Sequence, residues 1–229
     1  MKRFWDSATV AAEGPGWQVL LDGRPMRLPA GGRLVIARRP LAEALAAEWQ
    51  AAGGQNGGEM SFADVPLTRL AGTAQERIGP DPEPVVLELA RYGESDLLCY
   101  RADGPEALVR RQEAEWQPWL DWAAAQFGAP LKVTTGVMHV PQDAASLAAL
   151  AVAVAGYDPL GLAGLGVAVP ALGSLVLGLA LAEGVLDAAS AHELAMLDEL
   201  FQEQLWGRDD EATMRRARVA ADVDVAGRR

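Results

Sequence analysis

The chain has 229 residues, half of them apolar and 22% charged, which is enough for a substantial buried core and excludes a disordered or collagen-like polymer. Its 20 Lys and Arg stand against 31 Asp and Glu, and the resulting net charge of −11 repels phosphate backbones and anionic lipid surfaces, which sets aside nucleic acid and simple electrostatic membrane binding. A lone cysteine, Cys99, excludes an internal disulfide framework and any cysteine-rich metal cluster, and fits a reducing compartment.

The start has a basic pair, Lys2-Arg3, but Asp6, Ser7 and Glu13 follow in place of an apolar stretch, so no secretory signal is expected. Trp17 to Leu21 reads as a strand that stops at Asp22-Gly23, a pair suited to the positive φ angles of a tight hairpin turn. Met26 to Leu28 would be its return strand, and after a turn at Ala30-Gly31-Gly32 a third strand is expected over Arg33 to Ile36. Pro40 then opens a helix with Leu41, Leu45 and Trp49 on one face, ending at Gly53-Gly54. Residues 55–58 read as a linker, and the expected architecture is α+β: a small N-terminal unit over 1–60, an antiparallel meander with a helix, followed by a larger, mainly helical domain over 61–229.

Beyond that point the periodicity is helical. Leu67, Leu70, Ala74 and Ile78 share a stripe, Pro84 to Tyr92 follows, and Pro105 to Phe127 carries Trp116, Trp119 and Trp122 at steps of three. Pro118 inside this last segment predicts a kink or a new helix beginning near Trp116. Ser95 to Tyr100 reads as strand or extended loop, and Leu131 to Thr135 with Val137 to Val140 as a short hairpin around Gly136. Pro159 to Ala182 holds no charged residue and is long enough to span a bilayer, but its glycines, with Pro159 and Pro170, divide it into pieces of core-helix length. Asp187 is a good N-cap for a helix running to Trp206, with Leu194, Leu197, Phe201 and Leu205 as its apolar stripe.

Groups able to do chemistry are sparse, and no catalytic, cofactor-binding or metal-ligating residue is expected. His192-Glu193 lacks the second histidine of a helical zinc site, because Met196 stands there, and His139 has no evident partner. The glycines over 161–166 have neither dinucleotide-fingerprint spacing nor a P-loop ending and read as close helix packing, and Ser174 is not in a nucleophile elbow. Cys99 reads as a small buried hydrophobe. Adjacent carboxylates such as Asp198-Glu199 point apart on a helix and cannot share a proton. From Asp198 to Glu211, however, six acidic residues face one basic residue, a local charge of 1 − 6 = −5, dense enough to attract a basic partner. Seven tryptophans stand against three Tyr and four Phe. Trp116 and Trp119 sit at core spacing, whereas Trp122 and Trp206 fit their stripes less well and are candidates for exposure.

Several stretches together resemble the assembly chaperones that bind the alpha subunit of the catalytic head of F-type ATP synthase. They are Lys2-Arg3-Phe4-Trp5, Leu21-Asp22-Gly23-Arg24-Pro25, Ala47-Glu48-Trp49-Gln50 and Pro66-Leu67-Thr68-Arg69-Leu70. Asp96-Leu97-Leu98-Cys99-Tyr100-Arg101-Ala102 follows, then Gln112, Trp116, Pro118, Leu120 and Trp122, and Gly173-Ser174-Leu175-Val176-Leu177. Last come Asp198-Glu199, Gln202, Trp206-Gly207, Asp209 and Glu211-Ala212. Trp5, where the family usually has Tyr or Phe, and Val65, where it has Met, depart from the pattern.

The resemblance implies a small α/β domain ahead of a helical one, no catalysis and no cofactor. It also implies that the partner is the free alpha subunit, shielded until the beta subunit covers its apolar face. No membrane span and a monomeric free state are expected, in a bacterial cytoplasm, or in a mitochondrial matrix if the chain is a mature organellar protein. The resemblance does not single out contact residues; the acidic end of the last helix (Glu199, Glu203, Asp209, Glu211) with Trp206 as anchor, and Trp122, are the candidates from charge and exposure. Two rival readings stand beside it: a membrane-associated protein, from residues 159–182, and an enzyme of unrecognised type built around an apolar pocket.

Overall fold

A computed structural model describes residues 1–228 and divides them into two units, Met1–Asp81 together with Arg228, and Pro82–Gly227. The fold is α+β, a small antiparallel sheet followed by a mostly helical region.

In the first unit, β1 (Ala8–Glu13), β2 (Gly16–Leu21) and β3 (Arg24–Pro25) form a sheet in that order. The Asp22-Gly23 turn is present, with both residues at positive φ and Leu21 opposite Arg24. The third strand is not the expected one. β1, preceding β2 in the chain, pairs with β2 along its whole length, whereas Arg33 to Ile36 contributes only single bridges, Trp17 to Ile36 and Arg27 to Arg33. β1 has the composition Ala-Thr-Val-Ala-Ala-Glu, in which small residues mask the alternation that marks a half-buried strand.

Helix α1 (Arg39–Ala51) lies against this hairpin with Leu41, Leu45 and Trp49 buried, as their spacing predicts. Residues 55–58 are not a linker. The Arg3 amide donates to the Gly58 carbonyl and the Gly57 amide to that of Arg3, both at close range, and a Cβ at Gly58 would collide with the Gly53 carbonyl. Glycine at 58 is therefore a packing requirement.

The unit also extends past residue 60, its last helix being α2 (Pro66–Thr73), prolonged by a wide turn over Ala74–Ile78. Glu48 of α1 accepts hydrogen bonds from the first amides of α2, Leu67 at 2.6 Å and Thr68 at 3.0 Å, so the expected domain boundary would cut a helix from its cap. Burial is the main influence on the Glu48 carboxyl and pushes its pKa up against these donors.

The second unit opens with α3 (Glu83–Ala90). Leu97–Cys99 forms a short helical turn, and β4 (Tyr100–Arg101) leads to α4 (Glu106–Phe127). α4 is one helix through Pro118, and no second helix begins near Trp116. Pro118 and Ala114, whose carbonyl loses its donor, are both exposed, so water can satisfy that oxygen. The expected hairpin around Gly136 is also replaced: β5 (Thr134–Thr135) pairs in parallel with β4, and the Gly136 amide donates to the Arg101 carbonyl.

Helix α5 (Ala144–Ala155) precedes the uncharged run, which splits into α6 (Pro159–Leu172) and α7 (Leu175–Ala182) at Gly173, φ 64°. Asp158 caps α6 and Ser174 caps α7. Among the described residues no helix is long and apolar enough to cross a membrane. The expected helix over 187–206 is two, α8 (Ala188–Ala195) and α9 (Leu197–Trp206), separated at Met196, with Asp187 capping the first. α10 (Asp210–Gly227), not foreseen from the sequence, packs on α6 and α8. It approaches α6 so closely that a Cβ at Gly164 would lie 3.1 Å from the Ala226 carbonyl oxygen, so Gly164 serves close helix packing, whereas a Cβ at Gly166 would meet nothing within 4 Å.

Candidate functional site

Titratable groups converge in this molecule mainly to satisfy backbone. In the first unit Arg3 is buried, and its guanidinium donates to the carbonyls of Trp5 (2.9 Å), Gln50 (2.8 Å), Ala52 (3.2 Å), Gly54 (2.8 Å) and Asp6 (3.2 Å). The Trp5 indole donates to the Trp49 carbonyl at 3.1 Å, and the Trp49 indole to the Thr68 hydroxyl at 2.7 Å.

In the second unit Asp96 is fully buried and accepts from the Leu98 amide (3.1 Å), the Ser174 hydroxyl (2.8 Å) and the Val176 amide (3.0 Å), while its burial pushes its pKa up. Nearby, Arg101 donates to the carbonyls of Leu98 and Gln112 and lies over the Trp116 ring. Gln112 bridges the Ala102 amide and the Asp198 carboxylate, and the Trp116 indole donates to the Leu194 carbonyl at 2.9 Å. Burial, then the charge of Asp96, pushes the Cys99 thiol up to about 12, so it is protonated at neutral pH and no thiolate nucleophile is available. Among the described residues no group of three or more His, Cys, Asp or Glu side chains could hold a metal ion. His139 meets the Tyr100 hydroxyl at 3.1 Å, and His192 lies on α8, its pKa lowered chiefly by burial.

The six residues singled out for partner contact are brought together only in part. Glu199 and Glu203 on α9 face α10, where Arg215 binds both oxygens of Glu199 at 2.8 Å and Arg216 pairs with Glu203 and, at 3.5 Å, with Glu199. These two carboxylates are therefore spent on joining two helices. Asp209 caps α10 through the Glu211 and Ala212 amides at 2.8 and 3.2 Å. Trp206, at the end of α9, is 85% exposed, with Leu205 beside it, and Glu211 is exposed in the first turn of α10. Trp122 lies on α4, half-buried and edge-on to Trp119 and Phe127. Arg215 and Arg216 were missed because the local charge count ended at Glu211, four residues short of their complement.

The family model described as ATP12 chaperone protein matches residues 2–124. The chain belongs to the ATP12 chaperone family. Its match to solved ATP12 structures runs through both units: the crystal structure of Atp12 from Paracoccus denitrificans is 45% identical, with a TM-score of 0.91, covering 99% of this chain and 96% of that one. A point mutant of the same P. denitrificans Atp12p gives the same identity and TM-score. The Atu1473 protein from Agrobacterium tumefaciens is 42% identical, with a TM-score of 0.90, covering 99% of this chain and 83% of that one. In this ATP12-family chain the residues matched by the family model include Arg3 and Asp96, while the Asp96 partners Ser174 and Val176 lie beyond them.

Proposed function

We propose that this protein is an assembly chaperone of the F-type ATP synthase. It holds the free alpha subunit in solution until the beta subunit replaces it, and it works by binding and not by catalysis, as a monomer in the cytoplasm of a bacterium. The full-length likeness to Atp12 carries this reading. A transient holder must cover an apolar client face and still release it, which favours a modest interface with an apolar anchor and a charged rim over a large apolar one.

We place part of the contact at the junction of α9 and α10. Trp206 is the anchor and Glu211 the outward charge, while Glu199, Glu203 and Asp209 hold the two helices that present them. Co-expression with the alpha subunit alone tests the function: the subunit is expected to stay soluble and co-purify, and its precipitation beside well-expressed chaperone refutes the reading. The surface is tested by Trp206→Ser combined with Glu211→Lys, both at exposed positions. Capture should fall roughly tenfold or more with the thermal melt unchanged, and undiminished capture refutes this surface. Glu199→Lys is a poor probe, since it would set a lysine against Arg215 and Arg216 and part the helices.

A further inference from the structure

The first unit carries an open groove of about 450 Å³ whose lining is largely apolar. Met26 and Leu28 are buried in its wall, while Phe4 and Phe62 stand 69% and 51% exposed beside it. The Phe4 ring and the backbone that carries Phe62 are each held in place. Phe4 packs edge-on to the buried Trp5 at 5.0 Å, and Phe62 opens a helical turn fixed by a reciprocal cap between Ser61 and Asp64. Two aromatic rings facing water around a cavity form the kind of surface that a partner covers.

The charge around the groove has the opposite sign to that of the molecule. The chain carries −11 overall, yet the charged side chains lining the groove are Arg24 and Arg27, with no carboxylate among them. Arg27 donates to the Gly31 carbonyl, and among the described residues neither arginine is in an ion pair. An apolar trough with unneutralised guanidinium groups at its edge suits a chain segment with large apolar side chains flanked by carboxylates, which Arg can bind in a bidentate manner. A nucleic acid or an anionic membrane would meet the same arginines, but its dense, extended charge would also face carboxylates beyond the groove, which a short segment with a few acidic residues avoids.

We propose that this groove docks an acidic, apolar segment of the client, a second contact carried by a different unit from the one bearing Trp206. The proposal rests on the chaperone reading for the identity of the client, but its test does not use the client. A fluorescein-labelled synthetic peptide with a Leu-Phe-Leu centre and two Asp on each side is titrated into the full chain and followed by anisotropy. Saturable binding is expected, weakened by added salt and reduced roughly tenfold or more in the Arg24→Glu, Arg27→Glu double variant. Phe62→Ser should weaken binding without changing its salt dependence.

Equal affinity for the same peptide flanked by Lys overturns the proposal, as does undiminished binding by the double variant with its melt intact. Binding of phosphatidylserine vesicles that the double variant abolishes would assign the groove to a membrane and overturn it. So would a dimer seen by sedimentation that the same variant dissociates, since Trp206 and Glu211 of a second copy carry similar chemistry. A failed peptide titration leaves the co-expression result standing, and a failed co-expression leaves the titration interpretable.

Discussion

Arg3 in the first unit and Asp96 in the second meet the same difficulty with opposite charge. α1 ends at Ala51, and the carbonyls of Gln50, Ala52 and Gly54 lack helical donors; a cation from 47 to 51 residues upstream supplies them. α7 begins at Leu175, and the amide of Val176 lacks an acceptor; an anion from 80 residues upstream supplies it, together with the amide of Leu98. Each sign agrees with the helix end it serves, positive at the carbonyl end and negative at the amide end. The difference lies in the surroundings. Three of the carbonyls that Arg3 serves, those of Gln50, Gly54 and Asp6, take part in hydrogen bonds that are only partly buried, whereas all the bonds to Asp96 are buried. A water molecule can replace Arg3 at some of its partners, but Asp96 has no such substitute.

The largest effect is accordingly expected from Asp96→Ala, which strands three buried donors. A loss of about 4 kcal/mol in urea denaturation is expected, because an unmade buried hydrogen bond costs ~1–3 kcal/mol and the three are not additive. Arg3→Met should cost less, about 2–3 kcal/mol by the same reasoning, because the carbonyls near the surface regain water. If Arg3→Met proves the more damaging, the contrast between the two networks is wrong.

The smallest effect concerns pH. Asp22 accepts from the Ser7 and Asp6 amides and the Ser7 hydroxyl, and its pKa is lowered, chiefly by the Ser7 amide. A lowered folded-state pKa contributes stability above the unfolded value and loses it as pH falls through the folded one. Asp96, raised by burial, contributes in the opposite sense: its share is full below the unfolded value and declines as pH rises through the folded one. Asp22→Asn should therefore flatten the acid side of the stability curve, measured by melts from pH 2 to 5, and an unchanged acid limb would show that the turn carboxylate is not coupled to folding.

What could be read from the sequence followed the strength of each local signal. Leu41, Leu45 and Trp49, with Pro40 ahead of them, marked α1, and the Asp22-Gly23 pair marked its turn. β1 escaped because alanine hides alternation, and α10 because its first turn, Asp210 and Glu211, reads as the end of the acidic run that begins at Asp198, with Arg215 and Arg216 beyond it. The split at Met196 escaped as well, since Leu194 and Leu197 keep the stripe continuous across it. The candidate surface was legible as charge and aromatic content but not as geometry. Side chains 13 to 17 residues apart neutralise one another there, and composition alone does not place them face to face.

The division of the uncharged run at Gly173 has a consequence for how the chain comes off the ribosome. α6 and α7 are complete by residue 182, but α10, which lies on α6, is not made until residues 210–227. During that interval α3 and α4 already pack on the two helices, but the surfaces that α8 and α10 will cover stay open, and the bend between α6 and α7 keeps the pair from presenting one continuous rod of membrane-crossing length. A protein whose proposed task is to shelter a sibling polypeptide would itself pass through a stage of needing shelter.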